Sequence, residues 1–336
     1  MKKILILMGI ILILTGCMGE KRKELTKTDL IVPTMQDKIG ENGLWVGTFQ
    51  LVWNDLKNEV VKKDIEIDHE YARNLNKGLY QESDLSSEYY YKKYGKASLE
   101  LKAEIEKGIK DKFTQKSDIL DQLNWNADYI FYTMLYREFE FESKFDVLSN
   151  NDFNIYKDVK YFGIGPDSKS KLRDQVTIIF YENSQNFAIS LKTKNGDEVI
   201  MYKNPSGETF EEMYANMMNK KENYSGSTHL GDKDGFKAPK ISVKYLREYE
   251  EFKNKLFYSA DGEALTISDA LQTIEFVLNE KGGKVKSEAA MGLKFAAMPS
   301  EPKKLYLNDT FALFLKEESK DKPYLAAKIT DITKFQ

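Results

Sequence analysis

Ala127-Asp128-Tyr129-Ile130-Phe131-Tyr132-Thr133-Met134-Leu135-Tyr136 is the stretch on which the fold turns. Aromatic and β-favouring residues follow one another here almost without a polar break, as in a strand covered on both faces in the middle of a large sheet. Residues 137–147 then alternate polar positions with Phe139, Phe141 and Phe145, the pattern of a strand leaving that core. Strands are expected over 176–181, 186–192 and 198–202, the last two joined around Asn195-Gly196, a hairpin signal. A helix over 210–218 opens with Thr209 and Glu212 at capping-box spacing. The spacing of Leu246, Tyr249, Phe252 and Leu256 predicts a helix after a strand over 240–245, and closing strands are expected over 311–315 and 324–329.

Upstream of that stretch the pattern is helical. Trp45, Phe49, Val52, Trp53, Leu56 and Val60 recur at three- and four-residue steps, a stripe that reads as core and not as a binding platform. Ile67, Tyr71 and Leu75 mark a second helix, and Leu101, Ile105, Ile109 and Phe113 a third. The tyrosines between Tyr89 and Tyr94 read as a partly packed connection. Helices first and strands later give an α+β fold, with amino-terminal helices packed on a large central mixed sheet and smaller sheets beside it.

The amino terminus carries a different message. Lys2 and Lys3 precede an apolar run from Ile4 to Leu14, and Leu14-Thr15-Gly16 leads into Cys17, the one cysteine of the chain. A run of that length is too short to span a bilayer but suits an export signal, with cleavage before a cysteine that then takes a lipid. Residues 1–16 are therefore expected to be a lipoprotein signal peptide, 17–43 a lipidated cysteine and polar tether, and 44–336 a single domain. The expected location is the extracytoplasmic face of the cell membrane, anchored through a palmitate-type lipid on Cys17. The Lys-, Asn-, Tyr- and Ile-rich usage suggests a low-GC Gram-positive bacterium. Lys plus Arg number 50 against 53 Asp plus Glu, so no basic excess exists to neutralise a phosphate backbone, and nucleic acid is not an expected partner. With one thiol, no disulfide closes within the chain; 20 Tyr and 19 Phe must supply the core.

Six segments, in order between residues 125 and 332, resemble the serpin family. Leu278-Asn279-Glu280-Lys281-Gly282-Gly283 is similar to the Asn/Asp-Glu-x-Gly that ends the serpin central strand, and Ser287-Glu288-Ala289-Ala290 to the Thr-Glu-Ala-Ala of the hinge. The run from Leu305 to Leu315 resembles the strand ending Asn-x-Pro-Phe-x-Phe, and Pro323 to Asp331 the closing Pro-Leu-Phe-x-Gly-Lys-Val. Ala127 to Phe131 resembles Val-Asn-Tyr-Ile-Phe, and Ala238 to Ser242 Leu-Pro-Lys-Leu-Ser. Thr310 and Ala327 depart from the family pattern, standing where it has Pro and Gly.

The resemblance implies an exposed reactive-type loop over 282–304, cut by a protease and then inserted into the central sheet, trapping the acyl-enzyme. Alternate loop residues would be buried, so they must be small or apolar. Two registers stay open. In one, Lys284, Lys286, Glu288 and Ala290 turn inward; in the other, Ser287, Ala289, Met291 and Leu293 do, with 284–286 as an insertion. The scissile region falls in Ala296-Ala297-Met298-Pro299-Ser300, and bonds beside Pro299 are poor substrates, which points to an elastase- or subtilisin-like target. The expected partner is a protease or another protein, and the chain a monomer without cofactor or metal.

Two other functions stand beside inhibition: a non-inhibitory serpin-fold binding or structural module, and a solute- or peptide-binding lipoprotein. Enzymatic signals are weak. His69 and His229 are the two histidines, far apart; the Gly231-Asp232-Lys233-Asp234-Gly235 run lacks the remaining ligands of a calcium loop; and no Gly-x-Ser-x-Gly elbow occurs.

Overall fold

The computed structural model describes residues 25–194, 196–282 and 302–336. In chain order the elements are β1 (Thr26–Lys27), β2 (Gly43–Val46), α1 (Thr48–Asp55) continued by a π-helical turn (Leu56–Val61), α2 (Glu70–Asn76), β3 (Tyr90–Lys96), α3 (Leu99–Phe113), β4 (Tyr129–Leu135), β5 (Asp146–Phe153), β6 (Tyr156–Ile164), β7 (Val176–Asn183), β8 (Asn186–Lys192), β9 (Asp197–Lys203), α4 (Phe210–Glu222), β10 (Gly235–Pro239), β11 (Ile241–Glu248), β12 (Leu256–Tyr258), β13 (Ala264–Thr266), β14 (Leu271–Leu278), β15 (Lys304–Tyr306), β16 (Phe311–Glu317) and β17 (Pro323–Ile329). The α+β class expected from the sequence is the class found.

A six-stranded sheet, β2-β17-β16-β9-β8-β7, holds the largest apolar core. Its pairings are all antiparallel, and Phe311 to Leu315 register with Lys203 to Val199 on one side and Ile329 to Leu325 on the other. A four-stranded sheet, β15-β10-β6-β5, stands beside it. The third layer is divided: β1-β11-β14 form one piece and β3-β4 another. α1 lies behind both pieces and α3 in front of β3-β4. α3 is capped by Ser98, whose hydroxyl accepts from Leu101 N at 3.0 Å, and buries Leu101, Ile105 and Ile109 against Ile130 and Tyr132. α4 starts as expected: Thr209 Oγ1 accepts from Glu212 N at 3.1 Å, and the Glu212 carboxylate reaches back to Glu208 N at 2.7 Å.

Several expectations change. Trp45 sits on a strand, opposite Ala326 of β17, and the helix begins only at Thr48, after Gly47. Of the tyrosines from Tyr89 to Tyr94, Tyr90, Tyr91 and Tyr94 belong to β3, where Tyr91 covers α3 and Tyr94 stacks on Phe131 from the other face at 5.4 Å, and Tyr89 ends a 3-10 turn before it. Residues 246–256 form no helix. The β11 ladder instead runs on to Glu248, opposite Leu271, and Tyr249 and Phe252 reach their apolar cluster from a turn. Eight ladder pairs outweigh a short helical spacing. Residues 137–145 form no strand, although Phe139, Phe141 and Phe145 are buried. The tether read over 17–43 is shorter than expected, because Thr26 and Lys27 pair with β11, and Ile31, Val32 and Asp37 are buried. Asp37 accepts from Thr34 and Asn74, which ties that segment to α2. Among the described residues, no helix is long and apolar enough to cross a membrane.

Candidate functional site

β4 and β14 face each other and do not pair. β4 is bonded along one edge to β3, from Tyr129 opposite Lys96 to Leu135 opposite Tyr90. β14 is bonded along one edge to β11. Among the described residues the second edge of each has no strand partner. Between them lies a cavity of about 760 Å³, lined along its length by both strands and closed by Val52, Trp53 and Leu56 behind and Ile119 and Leu123 in front. Asn124 N donates to Asp269 at 3.1 Å at one end, and Glu140 bridges Gly282 at the other, so the two strands run parallel. Buried amides and carbonyls require partners, and two open edges one strand apart can be satisfied together by one strand between them.

The side chains of the walls sort cleanly by face. On β14, Gln272, Ile274, Phe276 and Leu278 point back into the core. Gln272 fixes that orientation, donating to Val46 O at 3.0 Å and Thr48 Oγ1 at 3.1 Å and accepting from Tyr249 OH at 2.7 Å. On β4, Ile130, Tyr132 and Met134 face α3, and Phe131, Thr133 and Leu135 face back. Glu275 lies on the front of β14, where Lys244 bridges it to Asp118 at 3.2 and 2.8 Å.

The mouth of the cleft is a turn over residues 279–282. Gly282 N donates to Asn279 O at 3.3 Å and Lys281 N to Asn279 Oδ1 at 2.9 Å. Gly282 has φ +77°, and a Cβ there would lie 2.5 Å from Phe141 N and 2.6 Å from Glu140 Cα. Only glycine permits both that φ and that backbone approach. Its bridge to Glu140 is antiparallel, so at Gly282 the chain already runs in the direction that a strand between β4 and β14 needs. Glu280 is matched by charge: its buried carboxylate lies 2.6 Å from Lys240 Nζ and 4.0 Å from Lys144 Nζ, and its carbonyl accepts from Phe145 N at 2.9 Å. Burial pushes this carboxyl up, but the Lys240 hydrogen bond, the residue's own backbone N–H and the charges of Lys240 and Lys144 together outweigh it and hold its pKa below the ordinary value. Beneath the mouth, Arg137 is buried over the Tyr89 ring, with Nε 2.6 Å from Asp197 and Nη1 3.4 Å from Glu317. Tyr324 OH donates to Asp197 at 3.0 Å, and Ser86 donates twice to Glu317.

Of the sequence-predicted residues, Glu280 and Gly282 meet at this mouth. Gly283, Ser287, Glu288, Ala289, Ala290, Ala296, Ala297, Met298, Pro299, Ser300, Cys17 and Asn195 lie outside the described residues. Glu140, Arg137 and Lys144 carried no motif that would have singled them out; Lys240 stood inside one, 238–242. The remaining candidates have structural partners. His69 caps α2, its Nδ1 accepting from Tyr71 N at 3.2 Å, and His229 is exposed beside Thr228. Asp234 accepts from Gly231 N at 2.9 Å and Lys303 N at 2.7 Å, clamping the chain just ahead of β15. Thr310 donates its N–H to Asp309 at 2.8 Å, a bond that proline could not make, and Ala327 is fully buried between Leu313 and Leu44. Among the described residues no cluster of three or more His, Cys, Asp or Glu is arranged to hold a metal.

The segments that carried the sequence resemblance fall on β4, β10 with β11, the end of β14, β15 with β16, and β17. No protein-family model and no curated protein matches the sequence. Among solved structures the chain is similar to Serpin48, a highly specific serpin of the insect Tenebrio molitor, at 12% identity and a TM-score of 0.49 over 86% of this chain and 92% of that one. It is also similar to thyroxine-binding globulin in complex with thyroxine, at 12% identity and a TM-score of 0.44 over 69% of this chain and 65% of that one. At this identity the likeness concerns architecture alone.

Proposed function

We propose that this serpin-like protein is anchored outside the cytoplasm through a lipid on Cys17, that a protease cuts its loop over 282–304, and that the freed segment inserts between β4 and β14 and inhibits the protease. The observation that carries this reading is the agreement of two walls on one register. Counting from the Glu140–Gly282 bridge sets Ser287 opposite Leu135, Ala289 opposite Thr133 and Met291 opposite Phe131, all backward-facing. Counting from the turn at Asn279 and Gly282 sets the same residues opposite Ile274, Gln272 and Ala270, again on the core side. Residues sharing a level across an antiparallel pair share a face.

The charges fall on the other side. Lys284 comes level with the exposed Glu138, and Lys286 with Glu275. Deeper in the cleft, where Ile119 and Leu123 cover the front, the forward positions Ala290 and Gly292 are small, and Lys294 beyond them comes level with Asp128. This favours the register with Ser287, Ala289 and Met291 inward, now joined by Val285, over the one that buries Lys284, Lys286 and Glu288. An insert reaching Ala296 would extend to the level of Asn126, the full length of the cavity wall, consistent with cleavage at Ala296-Ala297 or Ala297-Met298.

The test is limited proteolysis of residues 20–336 with elastase or subtilisin, the cut mapped by mass spectrometry, followed by thermal unfolding. The expected result is one cut within 296–300 and a rise in Tm on the order of 10 °C or more, since each kcal/mol is worth roughly 2–4 °C in a domain of this class. Ser287→Glu should abolish the rise by burying an unpaired carboxylate, while Glu288→Ala should keep it. A cut without a rise would leave a serpin-like module that binds a partner without insertion.

A further inference from the structure

Lys203 closes β9 and is buried to 1% exposure, paired with Phe187 of β8 on one side and Phe311 of β16 on the other. A lysine is rarely buried so fully without a carboxylate partner. Here both partners of the ammonium are neutral. Nζ donates to Asn308 Oδ1 at 2.8 Å and to Ser184 O at 3.2 Å, and among the described residues no carboxylate is ion-paired with it. Burial holds its pKa below the ordinary lysine value; the negative charge of Asp309 opposes that shift and the positive charge of Lys237 adds to it. The backbone is fixed on both sides of the contact. Asn308 O accepts from Asn154 N, Lys237 O from Leu307 N and Thr310 O from Asn204 N, each at 2.8 Å. Asn308 Cγ is bonded to Oδ1 and so lies within about 4 Å of Nζ, close to the separation at which an amine and a carbonyl carbon react.

We propose that Lys203 and Asn308 become joined by an amide bond between their side chains, a crosslink that the folded protein makes on itself. The Asp309 carboxylate takes a proton from the Lys203 ammonium, and the free amine attacks Asn308 Cγ. The Nζ–Cγ bond forms, the Cγ–Nδ2 bond breaks, and the two protons that Nζ sheds leave with Nδ2 as one ammonium ion. No oxidant or reductant enters the balance. The reaction is favoured because it takes a charge out of a site that disfavours it and returns that charge to water. The link ties the end of β9 to the segment between β15 and β16, across the 105 positions that separate the two residues.

Trypsin digestion and mass spectrometry of the full chain read the link directly. Peptides 195–220 and 305–316 should appear as one species, lighter than their sum by about 17 Da for the ammonia lost, with the bond after Lys203 uncut. Separate peptides 195–203 and 305–316 at full mass overturn the proposal. A specific-protease site placed after Gly262, in an exposed turn, gives a second reading of the same bond. Cut there and denatured, the otherwise unaltered chain should run as one species, and its Lys203→Met and Asn308→Ala variants as two. Two species from the unaltered chain overturn the link. Asp309→Asn keeps an acceptor for Thr310 N but removes the base. In freshly synthesised protein its linked fraction should rise on the order of a hundredfold more slowly. Linking at the native rate overturns the part given to Asp309.

Discussion

The six-stranded sheet and the divided one are built from similar strands and differ in how many partners those strands have. β16 is bonded to β9 on one side and β17 on the other, and its residues from Phe311 to Leu315 are all buried. β4 and β14 are as apolar, yet each has one strand partner among the described residues. Local sequence thus fixes that a segment is a strand, but pairing decides whether its hydrogen bonds are complete. An unmade bond at a buried backbone group costs about 1–3 kcal/mol, so two open edges are a reserve that a single additional strand can release.

Substitutions can break this contrast or sharpen it. The largest effect is expected in the closed sheet: Phe314→Ala should cost about 3–5 kcal/mol by denaturant unfolding, equally in the uncut and the loop-cut protein, because nothing new packs on β16. At the cleft mouth, Gly282→Ala should cost about 1–3 kcal/mol, since φ +77° and the Glu140 and Phe141 backbone both exclude a Cβ. Loop insertion should suffer with it, seen as a smaller Tm rise after cutting. On the cleft wall, Ile274→Val should cost about 0.5–1.5 kcal/mol, and more in the cut protein than the uncut one, because the side chain gains a neighbour only there. Equal costs in both forms would count against an inserted strand.

The smallest effect is a pH dependence. The folded Glu280 carboxyl lies below its ordinary value of 4.5, so it contributes stability above that pH and loses it as pH falls through the folded value. Tm measured from pH 6 down to pH 3 should fall more steeply in the native protein than in Glu280→Gln, the two curves converging in acid. Parallel curves would remove the Lys240 ion pair from the account.

The closed sheet was largely legible in the sequence. β7, β8, β9, β16 and β17 announce themselves by β-favouring runs, and α3 and α4 by apolar steps and caps. β3 was not, since Lys92 and Lys93 interrupt its tyrosines and only the ladder to β4 explains them. The β5–β6 hairpin was missed because Ser149-Asn150-Asn151-Asp152 carries no apolar alternation. The false helix after 245 shows the converse, a helical spacing produced by a strand followed by a turn. At the site, Glu280 and Gly282 were readable from their motif, but the register was not. It depends on Glu140 meeting Gly282 and on β4 lying across from β14, contacts between residues more than a hundred positions apart, which no local pattern encodes.

Amide hydrogen exchange of residues 20–336, uncut and after a single cut within 296–300, tests the contrast between the two sheets most directly. The account predicts that cleft-facing amides of Tyr129–Leu135 and Leu271–Leu278 become strongly protected after cutting, with β8, β9 and β16 already protected and little changed. Exchange in β4 and β14 that stays as fast after the cut as before would contradict it.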